Sequence, residues 1–294
     1  MKVLVVYNPA SGARGKGKRP VAIERFLRSR HIAWVWHTTS PDGSMDALEK
    51  LIDESIDRIL IVGGDGTVRD TAQYLVDHHL TVPVAIIPQG SGNVLAKTLD
   101  IPRGSLRSSL AVAIKGKPVL VDVLRINRRY ISLVGAGQGY DVFLMERVTR
   151  KHKRRLGFGA YLLAFASTYA SSGLKDFILT VDGKRRYVSA NLVVALNAFS
   201  PMHLLANHKI CPRDGCVNVV VVQSRSAWDV VLQTLTCLSR RKHLPRGFTV
   251  LPAHHRVTIK QRGASHIQID GDVMKGKTLT IDILPQRLPC IVPL

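Results

Sequence analysis

Ile59-Leu60-Ile61-Val62-Gly63-Gly64-Asp65-Gly66-Thr67 is the stretch whose reading decides the fold. Four consecutive apolar residues, three of them β-branched, predict a strand buried on both faces, as in a parallel sheet. Gly63, Gly64 and Gly66 let the backbone turn sharply and approach another molecule, since they carry no Cβ. Thr67 is placed to cap a helix over Val68 to Asp77, whose Val68, Ala72, Leu75 and Val76 fall at helical spacing. A glycine turn feeding a helix N-terminus presents free N–H groups and positive dipole, the arrangement that binds phosphate. Asp65 stands in the middle of that turn. An acid there is unfavourable unless a metal or a proton-transfer role compensates. An ordinary strand-to-helix turn uses the same residues, so the rest of the chain must decide.

Working outward, Lys2 to Tyr7 reads as a buried strand, followed by the turn Asn8-Pro9-Ala10-Ser11-Gly12. Gly12 to Arg19 resembles a Walker A loop only superficially, because Lys18 is followed by Arg19 and the glycine spacing is wrong. A helix over Val21 to Arg30, a strand over Ala33 to Thr38 and a helix over Asp46 to Ser55 precede the central strand. Another strand, Val84 to Ile87, leads into a third turn, Pro88-Gln89-Gly90-Ser91-Gly92-Asn93, and a helix from Val94. This alternation predicts a doubly wound, mostly parallel sheet. Its ligands bind at the carboxyl ends of the strands, and the three glycine turns gather at that edge. Ser91 and Asn93 suit either helix capping or phosphate contact.

After about Val119 the pattern changes to short strand-like runs punctuated by Asp182-Gly183, Asp214-Gly215 and Asp270-Gly271. That is the pattern of an all-β sandwich. The boundary falls near Val121, giving an α/β domain over 1–121 and a β-sandwich over 122–283. Leu284 to Leu294 is an extended tail returning to the first domain. Arg147 to Arg155 is strongly basic and precedes an apolar helical run, Tyr161 to Ala166; Arg240-Arg241-Lys242-His243 is a second basic run. Both suit an anionic membrane interface, and a solvated basic face reads the same way.

Lys and Arg number 42 against 21 Asp and Glu, a net charge of +21, which calls for an anionic partner. No nucleic-acid-binding module accompanies it, and aromatic interleaving is sparse. Nothing approaches 18 uninterrupted apolar residues, so no transmembrane helix is expected. Met1 to Tyr7 lacks a signal-peptide layout, and Cys211, Cys216, Cys237 and Cys290 read as reduced thiols. The expected location is cytoplasmic with peripheral membrane association.

Taken together, Asn8-Pro9-x-Ser11-Gly12, Gly63-Gly64-Asp65-Gly66-Thr67, Pro88-x-Gly90-Ser91-x-Asn93-x-x-Ala96, Gly135-x-Gly137-x-x-x-Asp141, Asp214-Gly215 and Asp270-Gly271-Asp272 stand in the order of one family. The chain resembles the diacylglycerol kinase catalytic-domain family of bacterial lipid, sphingosine and ceramide kinases. The resemblance implies a nucleotide-binding α/β domain, a β-sandwich and an active site in the cleft between them. It implies ATP and Mg²⁺ as cofactors and a lipid hydroxyl as acceptor. Asn8, Pro9, Ala10, Ser11, Gly12, Thr39, Gly63, Gly64, Asp65, Gly66, Thr67, Val68, Arg69, Gly90, Ser91 and Asn93 would line the nucleotide site. Asp214 would hold a structural Mg²⁺, partly through nearby main-chain carbonyls such as those of Cys211 and Cys216, and Asp270 would be the general base, with Asp65 and Asp272 orienting the metal or hydroxyl. Departures from the pattern are Arg69 and Asp70 for Asn and Glu, Val94 for Asp, Asp272 for Glu, and Cys216 and Asn218 for Leu and Asp. A soluble-metabolite kinase of the NAD kinase type and a non-catalytic nucleotide- or lipid-binding regulator are the alternatives. A homodimer is left open.

Overall fold

The computed structural model describes residues 1–12, 18–40, 45–139, 173–198, 210–226, 228–229, 232–233, 236 and 244–294. The basic runs Arg147 to Arg155 and Arg240 to His243, the apolar run Tyr161 to Ala166, Asp141 and Cys237 lie outside the described residues. Two compact units are distinguished: Met1–Val123 with Pro285–Leu294, and Leu124–Leu284.

The first unit is α/β, as its alternation predicts. Strands β1 (Lys2–Tyr7), β2 (Ala33–Thr38), β3 (Arg58–Gly63) and β4 (Val84–Pro88) pair in parallel in the order β2-β1-β3-β4. Helix α1 (Lys18–Arg28) joins β1 to β2, and α2 (Asp65–Asp77) joins β3 to β4. The predicted helix over 46–55 is only a short 3₁₀ turn, Asp46–Lys50. After β4 come α3 (Val94–Thr98), α4 (Leu106–Lys115) and β5 (Lys117–Ile126), which leads out of the unit. Period-two alternation splits the strands between two faces. Val3, Val5, Leu60, Val62, Ala85 and Ile87 form one core with Ile23 and Leu27 of α1 and Leu110 and Ala113 of α4. Leu4, Val6, Ile59, Ile61 and Ile86 point the other way, where α2 packs on β3. Arg58 donates to the carbonyls of Ala113 and Ile114 at 2.7 and 3.0 Å, placing a cation at the C-terminus of α4.

The second unit is all antiparallel. Its elements are β6 (Tyr130–Ser132), β7 (Gly135–Gly139), β8 (Lys175–Val181), β9 (Lys184–Ala190), β10 (Leu192–Leu196), β11 (Val217–Val222), β12 (Phe248–Ala253), β13 (Arg256–Gln261), β14 (His266–Ile269) and β15 (Asp272–Lys275). One sheet runs β12-β11-β10-β7-β14-β15. The other follows β13-β8-β9 from the start of β16 (Leu279–Val292). The later part of β16 belongs to the first unit, where Cys290 pairs in parallel with Val84. Inward-facing residues of both sheets make the core, among them Phe177, Leu179, Val193, Val219, Val257, Ile259, Ile269 and Ile281.

Two details depart from the sequence reading. The run Tyr187 to Leu196 is two strands in different sheets, broken at Asn191. There the side chain accepts from the Ser224 N–H at 2.7 Å and donates to the Gly173 carbonyl, so it anchors the break. The second is β7, Gly-Ala-Gly-Gln-Gly, in which strand propensity is low. Its glycines are needed because a Cβ at Gly137 or Gly139 would stand 2.8 or 2.3 Å from a carbonyl oxygen beside β10.

Asp182-Gly183 joins β8 to β9 with φ of +45° and +82°, the turn that Asp-Gly hairpins favour. The Asp182 carboxylate accepts from the N–H groups of His254, His255 and Arg256 at 2.8 to 2.9 Å. Burial pushes its pKa up, but the three N–H bonds outweigh that and hold it below the usual carboxylate value. The folded-state pKa is thus depressed, so the stability it contributes is present above the unfolded value of about 3.9 and is lost as pH falls through the lowered one. Asp182→Ala is expected to cost about 1–2 kcal/mol in urea melts at pH 7. The difference from the parent should shrink near pH 2–3, by the linkage just described.

Cys290 is fully buried, and burial pushes its thiol up to about 12. The expected outcome with a maleimide at pH 7.5 is no label on Cys290 until denaturant is added, read by peptide mass spectrometry.

Candidate active site

The three glycine turns meet within the first unit. The Asn8 side chain donates to the Thr67 hydroxyl at 2.8 Å, and its carbonyl oxygen accepts from the Ala10 N–H. Its main-chain N–H donates to the Val62 carbonyl. The first turn is therefore fastened to the second by one residue. The second and third touch backbone to backbone: a Cβ on Gly90 would lie 2.8 Å from the Gly64 Cα, and the Gln89 N–H donates to Gly63 at 2.7 Å. Gly12, at φ +81°, closes the triangle, since a Cβ there would be 2.8 Å from the Gln89 carbonyl. Thr39 is buried beside the first turn, its N–H on the Tyr7 carbonyl. Pro9, Ala10 and Ser91 are exposed at the rim.

Helix α2 begins at Asp65 with Gly64 as its N-cap, not after a Thr67 cap. Gly66 and Thr67 lie in its first turn, and Thr67 is buried against Gly63. The reason is electrostatic: a carboxylate in the first turn complements the helix dipole. Asp65 Oδ1 also accepts from the Leu95 N–H at 3.4 Å, at the start of α3. The acid is accommodated by the dipole of α2 and the Leu95 N–H of α3. Val68 is buried, leaving only its main chain for a ligand. Arg69 forms an ion pair with its neighbour Asp70, at 3.1 Å, so the departure at 69 is matched by the departure at 70. Asn93 adopts a left-handed backbone and closes a reciprocal pair with Gly90, donating to its carbonyl at 2.7 Å and accepting from its N–H at 2.9 Å. It shapes the turn and spends its amide in doing so.

In the second unit, the Asp270 carboxylate accepts four hydrogen bonds. Oδ1 takes the Ser132 hydroxyl at 2.6 Å and the Val134 and Gly135 N–H groups at 3.0 Å; Oδ2 takes the Leu133 N–H at 3.1 Å. Its own N–H donates to the Gly135 carbonyl, with φ at +48°. Asp270 thus fixes the bend between β6 and β7 and presents the turn Gly271-Asp272. Oδ1 is thereby fully engaged, while Oδ2, with a single donor, keeps a lone pair open for a proton or a cation. Asp272, two residues on, is exposed at the start of β15. Ser132 and the N–H groups of 133–135 carry no sequence signal beyond the glycine at 135.

Asp214 accepts from the Cys216 N–H at 3.0 Å, closing a local turn. Among the described residues no three His, Cys, Asp or Glu side chains gather as a metal set. The Asp214 carboxylate and the main-chain carbonyls of Cys211 and Cys216 are oxygen donors of the kind that Mg²⁺ takes. The glycine turns do fit a nucleotide phosphate: the Gly64–Gly90 contact leaves a surface of bare main chain beside the N-terminus of α2.

Residues 2–126 match the model of the diacylglycerol kinase catalytic domain. A Klebsiella pneumoniae protein named "Probable lipid kinase YegS-like" is 22% identical over 253 residues, covering 84% of this chain and 81% of its own length. A crystal structure of a diacylglycerol kinase from Bacillus anthracis superposes with a TM-score of 0.76 at 21% identity, covering 99% of this chain and 96% of that one. The second likeness is one of fold, and it spans both units. Among the described residues no helix is long and apolar enough to cross a membrane.

Gly90→Ala should weaken binding of a non-hydrolysable ATP analogue at least about tenfold by calorimetry, because two main chains must separate. The same change should leave the α/β fold intact by circular dichroism.

Proposed function

With residues 2–126 carrying the diacylglycerol kinase catalytic domain, we propose that the chain is an ATP-dependent lipid kinase. It transfers the γ-phosphate of Mg·ATP to the hydroxyl of a diacylglycerol-like or sphingoid lipid. The observation that supports this reading is the meeting of three glycine turns at the head of α2. That arrangement offers a polyphosphate main-chain donors and positive dipole with no side chain in the way. Bound Mg²⁺ would neutralise phosphate charge, and Asp65, the carboxylate of the central turn, is the hard-oxygen donor nearest to hand.

The acceptor hydroxyl must lose its proton as its oxygen attacks the γ-phosphorus and the bond to the β-phosphate oxygen breaks. A general base needs a carboxylate oxygen directed at the substrate. Of the two acids in Asp270-Gly271-Asp272, Asp272 is the exposed one, while Asp270 is half-buried and holds the bend between β6 and β7 through four donors. We assign the proton to Asp272 and the positioning of its turn to Asp270. The charge of +21 fits a nucleotide and an anionic membrane surface, and peripheral association through the basic runs is part of the proposal. Pairing of Arg69 with Asp70 keeps that guanidinium from disrupting the phosphate turn, which favours an active enzyme over a drifted regulator.

Labelled γ-phosphate from Mg·ATP should enter a lipid in mixed micelles offering diacylglycerol, phosphatidylglycerol, sphingosine, ceramide and polyprenols. Asp272→Asn should lower kcat by about 10²–10⁴ with ATP affinity unchanged. Asp270→Asn should lower the melting temperature as well, because a buried network loses charge-assisted bonds. Transfer to a soluble metabolite without lipid, or none at all, would overturn the reading.

A further inference from the structure

A cavity of about 260 Å³ opens in the first unit on the side of the sheet covered by α1 and α4. Arg19 of α1, Gln89 and Gly90 after β4, and Arg103, Ser105 and Leu106 at the start of α4 line it. No acidic residue does so among the described residues. Neither arginine makes a hydrogen bond or ion pair with any described residue, whereas Arg69 and Arg256 in the same chain have found carboxylates. Arg19 is half-buried, its Nη1 pressed so close to Gly12 that a Cβ there would lie 2.8 Å away. Its guanidinium is therefore held in place without a counter-ion.

The remaining wall adds donors of the same sign. Ser105 caps α4, accepting from the Ser108 N–H at 3.2 Å, which leaves the Leu106 N–H without an intrahelical partner. Arg58 fixes the far end of that helix, so its N-terminus is rigidly presented. Two guanidinium forks beside a helix N-terminus match a tetrahedral dianion in geometry and charge.

The cavity adjoins the nucleotide turn and shares Gln89, Gly90 and Asn93 with it, while α2 packs on β3 from the face opposite α1 and α4. Ligand pockets run from about 300 to 1,000 Å³, so this one suits a phosphate-bearing headgroup and is too small for a whole nucleotide. We propose that the cavity is a second anion site, for a phosphate monoester dianion, held by Arg19, Arg103 and the N-terminus of α4. Arg19, Arg103 and the N-terminus of α4, which hold the anion, are not used by the kinase reading.

Calorimetric titration of the full chain with glycerol 3-phosphate, inorganic phosphate and a non-hydrolysable ATP analogue tests it. Glycerol 3-phosphate should bind, and Arg103→Gln and Arg19→Gln should each weaken it about tenfold, the size of one lost charge-assisted bond. Arg103 is exposed and has no partner among the described residues, so its variant should melt as the parent does. The ATP analogue should bind the Arg103 variant within about twofold of the parent, since that residue lies off the nucleotide turn. Equal affinity for inorganic phosphate would identify free phosphate as the source. Preference for the glycerol ester, with phosphatidate vesicles retained more than phosphatidylcholine vesicles, would identify a lipid headgroup. No binding of either phosphate, binding unchanged in both variants, or equal loss of ATP binding in both would overturn the proposal. Phosphoryl transfer to lipid is read separately, so a failed kinase assay leaves this result standing.

Discussion

Main chain against main chain at Gly64 and Gly90 is the contact on which the candidate site depends. The turns after β3 and β4 are brought within van der Waals distance only because neither residue carries a Cβ. A side chain at either position would separate two strand ends that the parallel pairing of β3 and β4 has already fixed. The first turn then locks on through Asn8 and Gly12. The three motifs are one object, and its business surface is main-chain N–H and helix dipole. Such a surface recognises phosphate by charge and geometry without committing a flexible side chain, so little conformational entropy is lost on binding.

The second unit uses the opposite device. A carboxylate, Asp270, is surrounded by four donors and organises the chain from Ser132 to Gly135. Charge-assisted bonds of this kind are stronger than neutral ones, and each N–H would cost free energy if left buried without a partner. The aspartate that looks most like chemistry in the sequence thus also builds the scaffold.

Charge shows a similar division. The excess of basic residues is a property of the whole surface, and the sequence reports it directly. Which arginines are engaged is a matter of neighbours: Arg69 and Arg256 are paired with acids, Arg58 with helix carbonyls, and Arg19 and Arg103 face a cavity. That distinction depends on what stands beside each guanidinium in space, which the count of charges does not carry.

The sequence by itself determined the α/β-then-β order, the parallel strands β1 to β4 and the three phosphate-type turns. These follow from local rules: β-branched apolar runs, glycine where the chain must turn, and Asp-Gly at hairpins. Only the tertiary structure decided that α2 starts at Asp65, that Gly135 to Gly139 is a strand, that Asn93 closes its own turn, and that four donors converge on Asp270. Each of those depends on what stands opposite a residue in space. A glycine strand is stable because a neighbouring strand comes close, and an aspartate is a clamp because four donors from elsewhere in the chain converge on it.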